Sequence, residues 1–237
     1  MKRLPFAAVA IVAALLLAAC GGTESTTTTQ AEIPLEVVPS TYEQFLAQPT
    51  ACGAEAPDPL TAMQFDAPGD ESIDPTTPNL ALISTSCGDI TVELDPSLAP
   101  ETVNSFVFLA RQGYFDGTVF HRVIPGFVAQ GGDQTATGTG GPGYTVPDEF
   151  PPAGVTYDRG TVAMANAGPG TTGSQFFILL DDSQLPPQFT IFGRVTDGLD
   201  VLDLLQAVPL GRAPTSPDPV PSTPLATIYV NTVSIDR

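Results

Sequence analysis

The sequence predicts a mainly β protein, a closed or nearly closed antiparallel barrel with two helices on its outside. Short apolar or alternating runs of strand length recur from residue 79 to the C-terminus. Stretches rich in glycine and proline separate these runs. Only two segments of this region have helical character. Residues 78–237 are sufficient for one core, which buries about 70% of the surface of the unfolded chain.

The strands can be placed in order along the chain. Residues 80–85 and 90–94 predict a hairpin whose turn contains Cys87, Gly88 and Asp89, because β-branched and apolar residues flank a turn sequence. Further strands of the same composition are predicted at residues 117–123, 127–131, 161–165, 175–180, 191–195 and 225–235.

The two helices of this region have clear boundaries. Pro100 suits the first helical position, and apolar residues follow at helical spacing until Gly113. A second helix is predicted over residues 198–207. The six prolines between residues 209 and 224 predict an exposed loop, which we call the proline-rich segment.

The first 30 residues predict export and a membrane anchor. A basic start and an apolar stretch from Leu4 to Ala19 are typical of a signal peptide, and the small residues before Cys20 resemble a bacterial lipoprotein signal. Cys20 would then carry lipid on the extracytoplasmic face of the bacterial cell membrane. The alternative is an ordinary secretory peptide with an incidental cysteine. Residues 20–30, rich in threonine, predict a flexible tether.

The chain is strongly acidic. Without residues 1–19 it retains six arginines and no lysine against 26 acidic residues, a formal charge of −20. This charge excludes nucleic acid as a partner and repels anionic lipid, so it favours a covalent anchor over an electrostatic one. We read residues 31–77 as an extension of the main domain, and we expect a monomer.

Two cysteines remain after Cys20. In an exported protein disulfides persist, and we predict that Cys52 pairs with Cys87, which would attach the extension to the main domain. Closure of this loop would contribute on the order of 3 kcal/mol. The alternative is two buried free thiols.

Two long motifs carry a family resemblance. The first is Phe120-His121-Arg122-Val123-Ile124-Pro125-Gly126-Phe127 followed by Gln130-Gly131-Gly132-Asp133, and the second runs from Met164 through Pro169 to Gly173-Ser174-Gln175-Phe176-Phe177-Ile178. Together with Phe192-Gly193-Arg194-Val195 they resemble the cyclophilin family of peptidyl-prolyl cis-trans isomerases over about residues 79–237. The resemblance implies a closed eight-stranded antiparallel barrel capped by two helices.

The resemblance also implies a site. Arg122 matches the catalytic arginine, and Gln130 matches a residue that orients it. Ala165 and Asn166 match an edge that binds peptide backbone. The proline pocket and the other positions that border the substrate match Phe127, Val128, Phe177, Leu185, His121, Gln175 and Phe189.

The chemistry fits this set without a metal or cofactor. Rotation about an X–Pro bond faces a barrier of ~18–20 kcal/mol because the nitrogen lone pair is delocalised into the carbonyl. A donor aimed at the nitrogen stabilises the twisted state most. No proton is transferred, so His121 is not expected to act as a base. Arg122 could instead be a structural arginine paired with an acid, and Phe127 and Phe177 could be ordinary core residues.

The sequence departs from the family pattern at one edge of the site. The family often has tryptophan before the position of Leu185, whereas Gln184 stands here and the chain has no tryptophan. We therefore expect weak cyclosporin binding. The substrates would be proline-containing polypeptides among exported proteins. Two alternatives stay open: a non-catalytic peptide-binding module or holdase, and an interaction protein that uses the proline-rich segment.

Overall fold

The computed structural model describes residues 38–77 and 79–236. The predicted signal peptide, the Cys20 lipidation site and the tether lie outside these residues. The described helices are α1 (Tyr42–Leu46), α2 (Pro100–Arg111) and α3 (Leu199–Ala207), with a 3-10 turn at Ala51–Gly53. The strands are β1 (Asn79–Thr85), β2 (Gly88–Leu94), β3 (Arg122–Ile124), β4 (Val128–Gly131), β5 (Thr161–Met164), β6 (Phe176–Leu179), β7 (Ile191–Asp197), β8 (Leu210–Gly211), β9 (Thr223–Pro224) and β10 (Val230–Asp236).

Eight of these strands form one sheet, in which every pairing is antiparallel. Their order is β10-β1-β2-β7-β5-β6-β4-β3. The mainly β fold and the eight-stranded antiparallel sheet are therefore as predicted. Because every strand is antiparallel to its neighbours, one face can pack on a core while the other stays accessible.

The sheet is curled but does not close into a barrel, so the closed barrel that we predicted is wrong. No ladder joins the outer strands β10 and β3 among the described residues. At the start of these strands, residues 117–120 meet residues 228–230 through an isolated bridge between Val119 and Tyr229 and three backbone hydrogen bonds of 2.8–2.9 Å.

The main core lies between the concave face of the sheet and α2. Alternate residues of the central strands point to it, among them Ala129, Phe176 and Ile178. Phe106 of α2 stacks edge-on against Phe176, with 5.8 Å between the ring centroids. The residues that alternate with these core residues along each strand point to the opposite face of the sheet, which carries the candidate site.

The structure holds three α-helices in its described part, one more than the two expected to cap the main domain. Helix α2 begins at Pro100, and Gly113 follows its end at φ 71°, as predicted. Helix α3 begins one residue after the predicted start. The third, α1, belongs to the extension.

The extension is bound to the main domain by specific contacts. Cys52 and Cys87 form a disulfide with 5.1 Å between their Cα atoms. The buried Tyr42 donates from Oη to the Gly117 carbonyl at 3.0 Å and accepts from Leu60 N–H at 3.0 Å. Residues 60–65, whose apolar composition would also suit a strand, form none, and the N–H groups of Met63 and Phe65 bond to Gln134 and Pro142.

The proline-rich segment differs from the exposed loop that we predicted. Its two ends pair as strands β8 and β9. Ala213, Asp218 and Ser222 are buried, although many of the prolines between them are exposed. None of the helices in residues 38–77 and 79–236 has the length and hydropathy needed to cross a membrane.

Candidate active site

One row of residues crosses four neighbouring strands on the open face of the sheet. Arg122 of β3 lies opposite Gln130 of β4, Gln130 lies opposite Phe177 of β6, and Phe177 lies opposite Ala163 of β5. Directly opposite residues in an antiparallel sheet have Cβ atoms about 5 Å apart. The sheet register therefore brings two of the sequence motifs together, with Gln130 between Arg122 and the ring of Phe177.

A row of hydrogen-bonded side-chain amides ends at Arg122 and holds its guanidinium. Arg122 Nη1 donates to Gln130 Oε1 at 3.2 Å, and Gln130 Nε2 donates to Gln175 Oε1 at 3.0 Å. Gln175 Nε2 then donates to the Gly140 carbonyl at 2.9 Å. Because this backbone carbonyl can only accept, it fixes which way both amides point. Gln175, whose role the sequence left open, thus supports Gln130.

Arg122 also pairs with an acid that sequence reasoning missed. Its Nε and Nη2 atoms donate to the two carboxylate oxygens of Asp218 at 2.9 and 2.8 Å. The Asp218 side chain is 8% exposed, against 28% for Arg122. The hydrogen bonds from Arg122 hold the pKa of Asp218 below its ordinary value. Nothing in the sequence singles out Asp218 among 26 acidic residues.

A small apolar cluster lies on the same face, separate from the main core. Val128 and Phe177 are buried in it, and the rings of Phe177 and Phe189 meet edge-on at 5.5 Å. The partly exposed members of this cluster include Phe127, Ala165, Leu185 and Phe189. The structure therefore gathers all the apolar residues that the resemblance assigned to substrate binding.

The backbone edge of the site is built at the end of β5. Ala165 N–H donates to the Gln175 carbonyl at 2.9 Å, and Asn166 Nδ2 donates to the Gln188 carbonyl at 2.9 Å. Both residues are half-buried. Asn166 thereby joins this edge to the segment that carries Leu185 and Phe189.

A cavity of about 370 Å³ adjoins this edge. Its walls include Gln130, Gln175, Ala165, Asn166 and the glycine-rich stretch 138–141. A second cavity of about 390 Å³ lies on the other side of Gln130, bounded by Arg122, His121, the proline-rich segment and Pro39 of the extension. Arg122 therefore lines the second cavity, and Gln130 lines both.

His121, a predicted substrate-binding residue, does not belong to the apolar cluster and lines the second cavity instead. It is 8% exposed, and neither ring nitrogen has a hydrogen-bond partner among the described residues. Burial lowers the pKa of His121 to about 4, against the opposing effect of Asp133. The ring is therefore neutral at pH 7.

The glycine-rich stretch beside the site is organised by Asp133, a second residue to which we assigned no role. The buried carboxylate accepts hydrogen bonds from Thr135, Gly138 and Gly140 at 2.7–3.0 Å. Burial alone would raise the pKa of Asp133, but these hydrogen bonds lower it below its ordinary value. A Cβ at Gly140 would meet Asp133 Oδ1 at 2.0 Å, so only glycine fits there.

Comparison with known proteins identifies a family for most of the described chain. The family described as "Cyclophilin type peptidyl-prolyl cis-trans isomerase/CLD" matches residues 80–226. The "Probable peptidyl-prolyl cis-trans isomerase B" of Mycobacterium tuberculosis is 47% identical over 146 residues, which are 54% of this chain and 47% of that protein. "Peptidyl-prolyl cis-trans isomerase B" of Bacillus subtilis is 51% identical over 112 residues, 47% of this chain and 78% of that protein.

Solved structures agree with these relatives. A cyclophilin type peptidyl-prolyl cis-trans isomerase of Cryptosporidium parvum superposes with a TM-score of 0.61 at 35% identity, covering 68% of this chain and 99% of that one. A structure of the same protein in the presence of the dipeptide Ala-Pro gives a TM-score of 0.60 at 36% identity, covering 67% and 99%. The chain spans 47% of the mycobacterial relative and 30% of one from Arabidopsis thaliana.

Proposed function

Because the chain belongs to the cyclophilin-type peptidyl-prolyl cis-trans isomerase family, we propose that it accelerates rotation about X–Pro peptide bonds. The observation that carries the proposal is the cross-strand row, in which Gln130 alone separates Arg122 from Phe177 of the apolar cluster. An apolar surface with one fixed cationic donor at its edge suits a proline ring whose nitrogen must be stabilised.

Arg122 acts as the catalytic donor. Three of its five N–H groups donate to Asp218 and Gln130, which leaves two for substrate. As the X–Pro bond twists, the lone pair localises on the prolyl nitrogen, and a donor there stabilises the twisted state more than either planar state. A guanidinium is a cationic donor that needs no neighbouring base to activate it.

The apolar cluster holds the proline ring while the preceding residue rotates. Phe127, Leu185 and Phe189 are partly exposed over the buried Val128 and Phe177. Ala165 and Asn166 form the edge along which peptide backbone lies. The structure of the Cryptosporidium parvum relative in the presence of Ala-Pro supports a proline-containing ligand for this face.

The substrates are exported proteins, and the enzyme stands on the extracytoplasmic face of the cell membrane, tethered by lipid on Cys20. The signal-like residues before Cys20 and the threonine-rich stretch after it support this placement. The acidic character of the chain supports it too, since an anionic surface would not hold the protein without a covalent anchor.

A second candidate is a non-catalytic module that binds proline-containing peptides. The observation that favours it is the Arg122–Asp218 ion pair, since a purely structural arginine would make such a contact. This candidate predicts that peptide binds the chain without any change in isomerisation rate.

The rate of isomerisation decides between the two. We predict that R122A lowers kcat/KM of the full chain for a proline-containing test peptide about 100-fold, the usual effect of removing one preorganised donor. The control is R194A, which breaks the exposed pair with Asp158 on another part of the sheet and should leave the rate unchanged. Equal rates for the wild type and R122A would leave only the binding module.

A further inference from the structure

The proline-rich segment supplies a functional residue to the site. We propose that Asp218 is a positioning residue, which holds the Arg122 guanidinium in the orientation that the prolyl nitrogen requires. The inference rests on the proposed isomerase function and assigns to the segment a role that neither its composition nor the family motifs suggest. It is carried by the paired contacts between the two side chains.

Asp218 is itself fixed before it meets Arg122. Arg212 donates to the backbone carbonyls of Asp218 and Pro219. Asp218 N–H donates to Ser216 Oγ at 3.3 Å. Farther along, Val123 N–H donates to the Ser222 carbonyl at 2.7 Å, which ties the segment to the strand that carries the arginine. These hydrogen bonds hold the loop that carries the Asp218 carboxylate in place.

The contact fixes the plane of the guanidinium. A carboxylate that accepts from both Nε and Nη2 permits essentially one orientation of the planar group. Gln130 accepts from the third nitrogen, Nη1. Two partners at two edges of the planar group define where the remaining N–H groups point. An unrestrained arginine would lose much of this preorganisation, because its long side chain has many rotamers.

The carboxylate also reduces the net charge at the site. The reacting imide is neutral in the planar and twisted states, so a long-range positive field has little to act on. The orientation of the donor N–H group therefore affects the rate more than its charge does. We therefore expect the loss of Asp218 to lower the turnover rate and to leave peptide binding, which depends on the apolar cluster, almost unchanged.

The test compares D218A and D218N with wild type in the full chain, with kcat and KM measured separately. D218A should lower kcat about tenfold with KM within about twofold, and D218N, which keeps one acceptor oxygen, about threefold. The Nε–H resonance of Arg122 in the proton–nitrogen NMR spectrum, protected in wild type, should exchange faster in both variants. The control D203A breaks the more exposed Arg159 pair and should change neither readout.

Each outcome bears on the inference. Wild-type kcat in D218A, while R122A is inactive, would overturn the positioning role and leave the proposed isomerase intact. A higher kcat in D218A would also overturn it, since the ion pair would then restrain the arginine from acting. If wild type itself shows no isomerisation, the proposed function fails and this inference with it. If D218A does not fold, D218N decides by the same two readouts.

Discussion

At the scale of single residues, His121 combines two facts that are rarely found together. It is buried with both ring nitrogens unpaired among the described residues, and it stands next to the candidate catalytic arginine. A protonated ring there would lack an acceptor and would repel the guanidinium. The site therefore favours a neutral imidazole, and the stability of the folded protein must depend on pH.

We predict that the free energy of unfolding falls by about 2 kcal/mol between pH 7 and pH 5, since burial lowers the pKa of His121 from 6.5 to about 4. The unfolded chain binds the proton first, so stability is complete above the unfolded pKa and is lost as pH falls toward the folded one. Urea unfolding at the two pH values measures the difference.

His121 is the only histidine of the chain, which makes its control simple. The variant H121Q should show a nearly flat stability over the same interval, whatever its absolute value. A wild-type protein whose midpoint does not move between pH 7 and pH 5 would contradict the unpaired, buried histidine.

The residue scale also shows what the sequence could supply. Arg122, Gln130 and Phe177 lie within continuous motifs, so their place in the site could be predicted. Asp218 lies in a segment whose proline content predicts only a loop, and its partner is 96 residues away. A contact made by one carboxylate across such a distance leaves no local pattern for a single sequence to show.

At the scale of elements, the loop of residues 133–141, which contains the glycine-rich stretch, depends on one side chain. Asp133 is fully buried and accepts four hydrogen bonds from this stretch, two of them from Thr135. The same stretch receives Gln175 at Gly140 and so completes the amide chain from Arg122. The shape of the loop therefore reaches the candidate active site.

We predict that D133A destabilises the protein by about 3 kcal/mol, because it removes a buried carboxylate that accepts four hydrogen bonds, and bonds to a charged group are the stronger ones. Thermal or urea unfolding measures the loss. The matched variant D158A removes an exposed carboxylate, 47% accessible and paired with Arg194, and should change stability by no more than about 0.5 kcal/mol. Similar stabilities for the two variants would contradict the buried role of Asp133.

The elements differ in how well their sequences predict them. Strands such as β2 and β7 are predictable because β-branched and apolar residues alternate between turn signals. The stretch 60–65 has a similar composition but forms no ladder, because its N–H groups bond to Gln134 and Pro142 of the glycine-rich region instead. Whether the barrel closes likewise depends on which strand edges pair, and local composition does not encode that pairing.

At the scale of the whole molecule, the extension and the site are connected. Gln64 donates to the Gly141 carbonyl at 2.9 Å, and Phe65 N–H donates to the Pro142 carbonyl at 2.7 Å. Gly141 and Pro142 also line the cavity that Gln130 and Gln175 border. The extension therefore braces a wall of the candidate site, and the disulfide at Cys52 attaches it to the hairpin of β1 and β2.

We predict that C52S/C87S lowers the free energy of unfolding by about 3–4 kcal/mol, because the bridge restricts the unfolded chain across a separation of 35 residues. The extension should also open locally more often, and hydrogen exchange at Phe65 N–H reports this directly, since that group is bonded to Pro142. The control is Val92 N–H in the central sheet, whose exchange rate should change only as far as the global stability changes. Wild type under a reductant should match the variant. Exchange that is unchanged at both sites would show that the extension is held by its packing and hydrogen bonds alone.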